Sequence, residues 1–191
     1  MKSVTIAIRA FLFFTVLTGI AYPLLVTGIA HIFFPGKANG SIILKDGQPV
    51  GSELIGQPFD STGIYFIPRP SEVGYNPLPS GGSNYGVTNK KLKEAFDRRK
   101  QWIMREYHPD REEAVPPEML FASASGLDPH ISPEAALLQA DRVAQSRHFS
   151  DDQKIKLKQT IGQLTEPPRF LCLGQSRINV LLLNLETDKI K

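Results

Sequence analysis

The sequence predicts an α+β fold: one N-terminal transmembrane helix followed by a single extracytoplasmic mixed α/β domain. Three observations predict it. From Ala10 to Phe34 the chain carries no Asp, Glu, Lys or Arg. Beyond that run lie a few short apolar stretches that read as strands and three main helical patterns. About 155 residues follow the run, enough for one domain with its own core.

The uncharged run reads AFLFFTVLTGIAYPLLVTGIAHIFF. A hydrocarbon core about 30 Å thick needs about 20 apolar residues in helix, so the run is long enough to span a bilayer. A cleaved signal peptide has a shorter apolar region, and here apolar residues continue past the small-residue site Gly28-Ile29-Ala30, so a retained anchor is expected. Lys2 and Arg9 lie on the N-terminal side, and Lys37 alone lies close on the other. The positive-inside rule then puts residues 1–9 in the cytoplasm, 10–34 across the membrane and 35–191 outside.

Within the span, Pro23 cannot donate to the carbonyl of Gly19, which predicts a kink or local loosening. Thr15, Gly19, Pro23 and Thr27 recur every four residues and share one face. Small and hydroxylated residues on one face suit close packing against a partner helix, although Gly and Pro are also common in passive spans.

Next comes a hairpin: Ser41 to Leu44, the turn Asp46-Gly47, then Pro49-Val50. Ile64 to Ile67 is a further short apolar run. From Pro68 to Asn89 the chain is rich in Pro, Gly, Ser and Asn, too long for an idle connection. Asn89 caps a helix predicted to reach about Glu106, with Leu92, Phe96 and Ile103 on its apolar face. Pro109 to Pro117 is a polar break. Ser132-Pro133 starts a helix whose Ala136, Ala140, Val143 and Ala144 form a small-residue face. Ser150 with Gln153 reads as a capping box for the next, in which Leu157, Ile161 and Leu164 form the buried stripe. Ile178 to Leu185 reads as a central strand, in which Asn179 and Asn184 need partners. Three main helices result.

Charge excludes some functions. Lys2 and Arg9 precede the span and every acidic residue follows it, so the body carries 20 basic against 19 acidic residues. That balance gives no footprint for nucleic acid. The single cysteine, Cys172, forms no internal disulfide and, among Phe170, Leu171 and Leu173, is expected to be buried and inert.

The sequence has neither a P-loop nor a Gly-x-Gly-x-x-Gly turn, so ATP hydrolysis by this chain alone is not expected. The nucleophile elbow Gly-x-Ser-x-Gly is missing as well. Ser123 or Ser125 with Asp128 and His130 would form an anchored hydrolase, but closeness in sequence is not the mark of a triad. His31, His108, His130 and His148 lack ligand spacing, so no metal site is expected. An envelope structural protein is a third class, although the span lacks the early acidic residue of a type IV pilin. Arg69, between two prolines and beside Tyr65-Phe66, admits two readings: an interface anchor, or an internal salt bridge tying down its loop.

The segments are ordered Tyr22-Pro23-Leu24-Leu25, Ala38-Asn39-Gly40-Ser41, Gly51-Ser52-Glu53-Leu54-Ile55-Gly56-Gln57, Tyr65-Phe66, Arg69-Pro70-Ser71, Tyr75-Asn76 and Ser80-Gly81-Gly82-Ser83-Asn84. Then come the block from Ala122 to Pro133, Gln139, Arg142-Val143-Ala144, Arg147, Asn179-Val180-Leu181 and Leu183-Asn184-Leu185. In this order, behind one span, they resemble the C subunit of the bacterial Kdp potassium-transporting ATPase over nearly the whole chain. Tyr85-Gly86-Val87 departs from the pattern.

The resemblance implies a non-catalytic accessory subunit of an inner-membrane complex. Its partners are a channel-like A subunit, a P-type ATPase B subunit and a small F subunit. It also implies a need for the chain in assembly and activity, and a proposed effect on the ATP affinity of the catalytic subunit. ATP and potassium then belong to the complex, with no cofactor held directly here. Candidate interface residues of the body are Arg69, Tyr75, Asn84, Asp128 and His130.

Overall fold

The computed structural model describes residues 2–59, 62–108, 114–170 and 172–190. The chain divides into two compact units, Met1–Val50 and Gly51–Lys191.

The first unit is built on one continuous helical stretch, Lys2–Phe33, with a mean hydropathy of 2.0 over its most apolar window. It comprises α1 (Lys2–Val16), a π-helical turn (Leu17–Ala21) and α2 (Tyr22–Phe33), and none of the side chains of α1 and α2 is buried. Helix thus begins well before Ala10, because nothing between Lys2 and Arg9 breaks it. The loosening expected before Pro23 takes the form of the π turn. Phe34 leaves the helix at φ −138°, and Pro35 starts the short α3 (Pro35–Ala38). A hairpin follows, β1 (Ile42–Lys45) and β2 (Gln48–Ser52). Asp46 and Gly47 both take positive φ, 52° and 77°, the conformation a two-residue type I′ turn requires.

The second unit contains α4 (Lys90–Tyr107), α5 (Pro117–Leu120), β3 (His130–Ile131), α6 (Pro133–Ser146), α7 (Asp151–Gln163), β4 (Ile178–Asn179) and α8 (Val180–Thr187). Its helix starts follow from their caps. Asn89 accepts from the Lys91 amide, and Ser132 from that of Ala135 with Pro133 in the first turn. Ser150 and Gln153 form the capping box. Ala135, Ala136, Ala140 and Ala144 are buried on α6, and such small side chains let α4 and α7 approach closely. Ile103 from α4, Leu157 and Ile161 from α7, and Val180 and Leu183 from α8 complete this core with Phe66, Ile131 and Ile178. Arg142 pins the end of α4: it donates to the Tyr107 hydroxyl at 2.7 Å and lies over the Trp102 and Tyr107 rings. Burial pushes the Tyr107 hydroxyl up to about 12, against the opposing pull of Arg142.

Three expectations are corrected. Ile178 to Leu185 is not one strand. Asn179 caps a helix by accepting from the Leu182 amide, so only Ile178 and Asn179 pair, with Ile131 and His130. The leucines beyond are good helix formers, and a short apolar run cannot distinguish the two structures. The body therefore has four helices of eight residues or more among the described residues, not three. Cys172 is exposed, not buried: it sits in a loop closed by the Arg169–Leu173 bridge, where Phe170 and Leu173 are also exposed. Most of the break from Pro109 to Pro117 falls at 109–113, outside the described residues.

The run Ile64 to Ile67 joins no sheet. Its peptide groups are served instead by two buried amide side chains. Asn184 accepts from the Phe66 amide at 2.8 Å and donates to the Phe66 carbonyl at 2.9 Å. Gln139 does the same for Ile67, at 2.8 and 3.2 Å. Asn179 donates to the Glu53 carbonyl at 2.8 Å. Both asparagines thus find the partners their burial demands.

Candidate partner-binding cleft

The loop that follows Ile67 is shaped by Pro68 and Pro70 on either side of Arg69. The Tyr75 hydroxyl donates to the Arg69 carbonyl at 2.9 Å, and the Ser71 hydroxyl accepts from the Tyr75 amide at 2.9 Å. Arg99 of α4 clasps the loop from outside through Glu72 and donates to the Leu120 carbonyl at 3.0 Å. Burial pushes the Tyr75 hydroxyl up to about 12, partly offset by Arg99.

A second loop, Ala122 to Pro129, lies against the first. The Ser123 amide donates to the Pro70 carbonyl at 3.0 Å, and the Gly81 amide to Ser125 at 3.0 Å. Gly126 turns at φ +68°, and a Cβ there would lie 2.7 Å from the Gly81 carbonyl oxygen, so only glycine fits. Gly56 approaches from the other side: its amide donates to the Leu127 carbonyl at 2.7 Å, and a Cβ would lie 2.6 Å from the Asp128 carbonyl oxygen.

Asp128 is the electrostatic centre. Its Oδ2 accepts from Arg69 at 3.0 Å and its Oδ1 from the His130 amide at 3.0 Å, with the His130 ring Nδ1 at 3.6 Å. Burial pushes this carboxyl up. The hydrogen bonds from His130 and Arg69 outweigh it and hold the group below its ordinary value. Arg69, Asp128 and His130 form one wall of a cleft of about 470 Å³, and Glu166, Arg169 and Arg177 contribute to the rest. Glu166 pairs with Arg177 at 3.0 Å, and Glu118 at the margin accepts from the Ser132 amide at 2.6 Å. The cleft acids are therefore already engaged internally, while the buried Nε of Arg69 has no hydrogen-bond partner among the described residues.

Of the five body residues singled out from sequence, Arg69, Asp128 and His130 line the cleft, and Tyr75 joins them only through its hydroxyl's bond to the Arg69 carbonyl. Asn84 does not. It stands exposed on its own turn at φ 52°. The internal salt bridge foreseen as one reading of Arg69 is present, at the edge of an open cleft. Sequence reasoning missed Glu72, Arg99 and Glu118, charged residues whose partners are distant in the chain. It also did not foresee Gln139 as a backbone clamp.

The hydrolase arrangement is not assembled. The Ser125 hydroxyl accepts from the Leu127 amide, and Ser123 is buried at 3% exposure. Among the described residues no hydrogen bond joins either serine to His130, and no three His, Cys, Asp or Glu cluster as metal ligands.

In the first unit, Thr15, Gly19, Pro23 and Thr27 are all exposed on the span, on either side of or within the π turn. Around Gly19 nothing lies within 4 Å of where a Cβ would stand.

The family described as "K+-transporting ATPase, c chain" matches residues 4–189. Proteins named potassium-transporting ATPase KdpC subunit are similar along their whole length. That of Leptospira interrogans is 46% identical over 98% of this chain and 94% of its own. Its counterpart in Polaromonas naphthalenivorans is 48% identical over 97% and 93%, and that of Geotalea uraniireducens 47% over 100% and 99%. With one helix among the described residues long and apolar enough to cross a membrane, an α+β body after it in the chain and a match over residues 4–189, the chain belongs to the KdpC family of K+-transporting ATPase subunits.

Proposed function

We propose that the chain is a non-catalytic accessory subunit of an ATP-driven potassium transporter, needed for the assembly and activity of the complex. The observation that carries this reading is the family match over residues 4–189, which includes the apolar helix Lys2–Phe33 from residue 4 on. In this reading residues 10–34 cross the bacterial inner membrane with the N-terminus in the cytoplasm. Residues 35–191 then lie outside it, beside the channel-like and P-type subunits, with a small F subunit in the same complex. Thr15, Gly19, Pro23 and Thr27 form the face that packs on a partner helix. The cleft beside Arg69, Asp128 and His130 is the body's docking region, supported by its openness and by the buried, unserved Arg69 Nε. Any influence on ATP affinity is then indirect, exerted through assembly, because ATP is cytoplasmic and the body is not.

The test is genetic and biochemical. A strain lacking this chain is expected to fail to grow on limiting potassium, to recover with the wild-type gene, and to yield a complex in which the chain co-purifies with two large polytopic partners. Full pump activity in its absence would overturn the proposal.

A further inference from the structure

At the π turn the Tyr22 amide donates to the Leu17 carbonyl, five residues back. An α-helix would have sent it to Thr18. The next donor in line for the Thr18 carbonyl is residue 23, and Pro23 has no N–H. That carbonyl therefore has neither its i+4 nor its i+5 donor. Thr18's own hydroxyl is spent on the Phe14 carbonyl at 2.6 Å. Ala21 and Pro23 carry no side-chain donor, and the Tyr22 hydroxyl lies at the far end of its ring. Thr18 is about 12 Å into the apolar run at 1.5 Å per residue, beyond easy reach of water. In hydrocarbon every backbone polar group has to find a partner, and acyl chains supply none.

We propose that the Thr18 carbonyl is a hydrogen-bond acceptor for a side-chain donor on a neighbouring membrane helix: a hydroxyl, carboxamide or indole N–H of a partner subunit. Gly19, the next residue, has no side chain, which lets such a helix come close. The inference rests on the packing reading above and adds to it the chemistry of the contact.

The test uses the purified complex in detergent. Disulfide cross-linking from cysteines introduced one at a time at Thr18, Gly19 and Tyr22, in a Cys172→Ser background, identifies the facing partner position. The expected neighbour is a Ser, Thr, Asn, Gln or Trp. Replacing that donor by an apolar isostere is expected to weaken retention of the chain ~3–10-fold, the range for one hydrogen bond between membrane helices. In a Pro23→Ala background, where residue 23 regains an N–H, the same replacement is expected to have no effect. Equal effects in both backgrounds, or only apolar residues at the cross-linked positions, would overturn the inference. Gly19→Leu separates the two readings. Loss of the complex alongside equal effects removes the carbonyl contact and leaves the packing, whereas an intact complex removes the packing itself.

Discussion

Single residues carry the conformation of the loops around the cleft. Asp128 is held ionised by Arg69 and His130, so its folded value is depressed. A depressed carboxyl contributes stability above its unfolded value and loses it as pH falls through the folded one. Asp128→Asn is thus expected to be less stable than wild type at neutral pH, by about 1–3 kcal/mol for charge-assisted hydrogen bonds. The gap should close as pH falls below the ordinary 3.8, and thermal unfolding across an acid series reads it directly. A gap that stays constant down to strong acid would show that the charge is not what matters. Gly126→Ala forces a positive φ on a side chain that also meets the Gly81 carbonyl. The expected cost is about 1–3 kcal/mol, visible as a lowered denaturant midpoint.

Among the elements, the helices of the body were the most legible part of the sequence, because their starts are written in local chemistry. Asn89, Ser132 and Ser150 each cap the helix expected of them. Ser132→Ala should cost about 1 kcal/mol by losing the bond from the Ala135 amide, and chemical denaturation measures it. The strand read from Ile178 to Leu185 failed for want of such chemistry in plain view. The same asparagine that looked like a polar intruder in a strand is the cap that ends it. Cys172 failed for a related reason, since apolar neighbours suggested a core that the fold does not place there. In the cleft, Arg69 could be singled out by its prolines and Asp128 by its turn. Their pairing spans 59 positions in the chain and has no local signature. The four-residue row in the span was legible as spacing, but the π turn depends on hydrogen bonding that spacing does not encode.

Across the whole molecule, two phenols report on whether the body is intact. Tyr75 and Tyr107 are raised to about 12 by burial, so their contribution to stability is complete below pH 10 and is lost between pH 10 and about 12. Spectrophotometric titration should show them ionising only near pH 12, or earlier in one cooperative step if alkali unfolds the body first. Smooth ionisation of all five tyrosines by pH 10 without unfolding would show that neither phenol is buried. The amides of Gln139 and Asn184 tie the chain near residue 66 to α6 and α8, and Asn184→Leu should cost about 2–4 kcal/mol by stranding both polar groups of Phe66. Those bonds are made to main chain alone, which has a consequence for mutational tolerance. The contact cannot tell one side chain from another at 66 and 67, so a saturation library selected for folded protein should accept a range of apolar residues at Ile67. At 139 and 184 the same library should collapse onto carboxamides, because only that group offers a donor and an acceptor in the shape of a peptide bond.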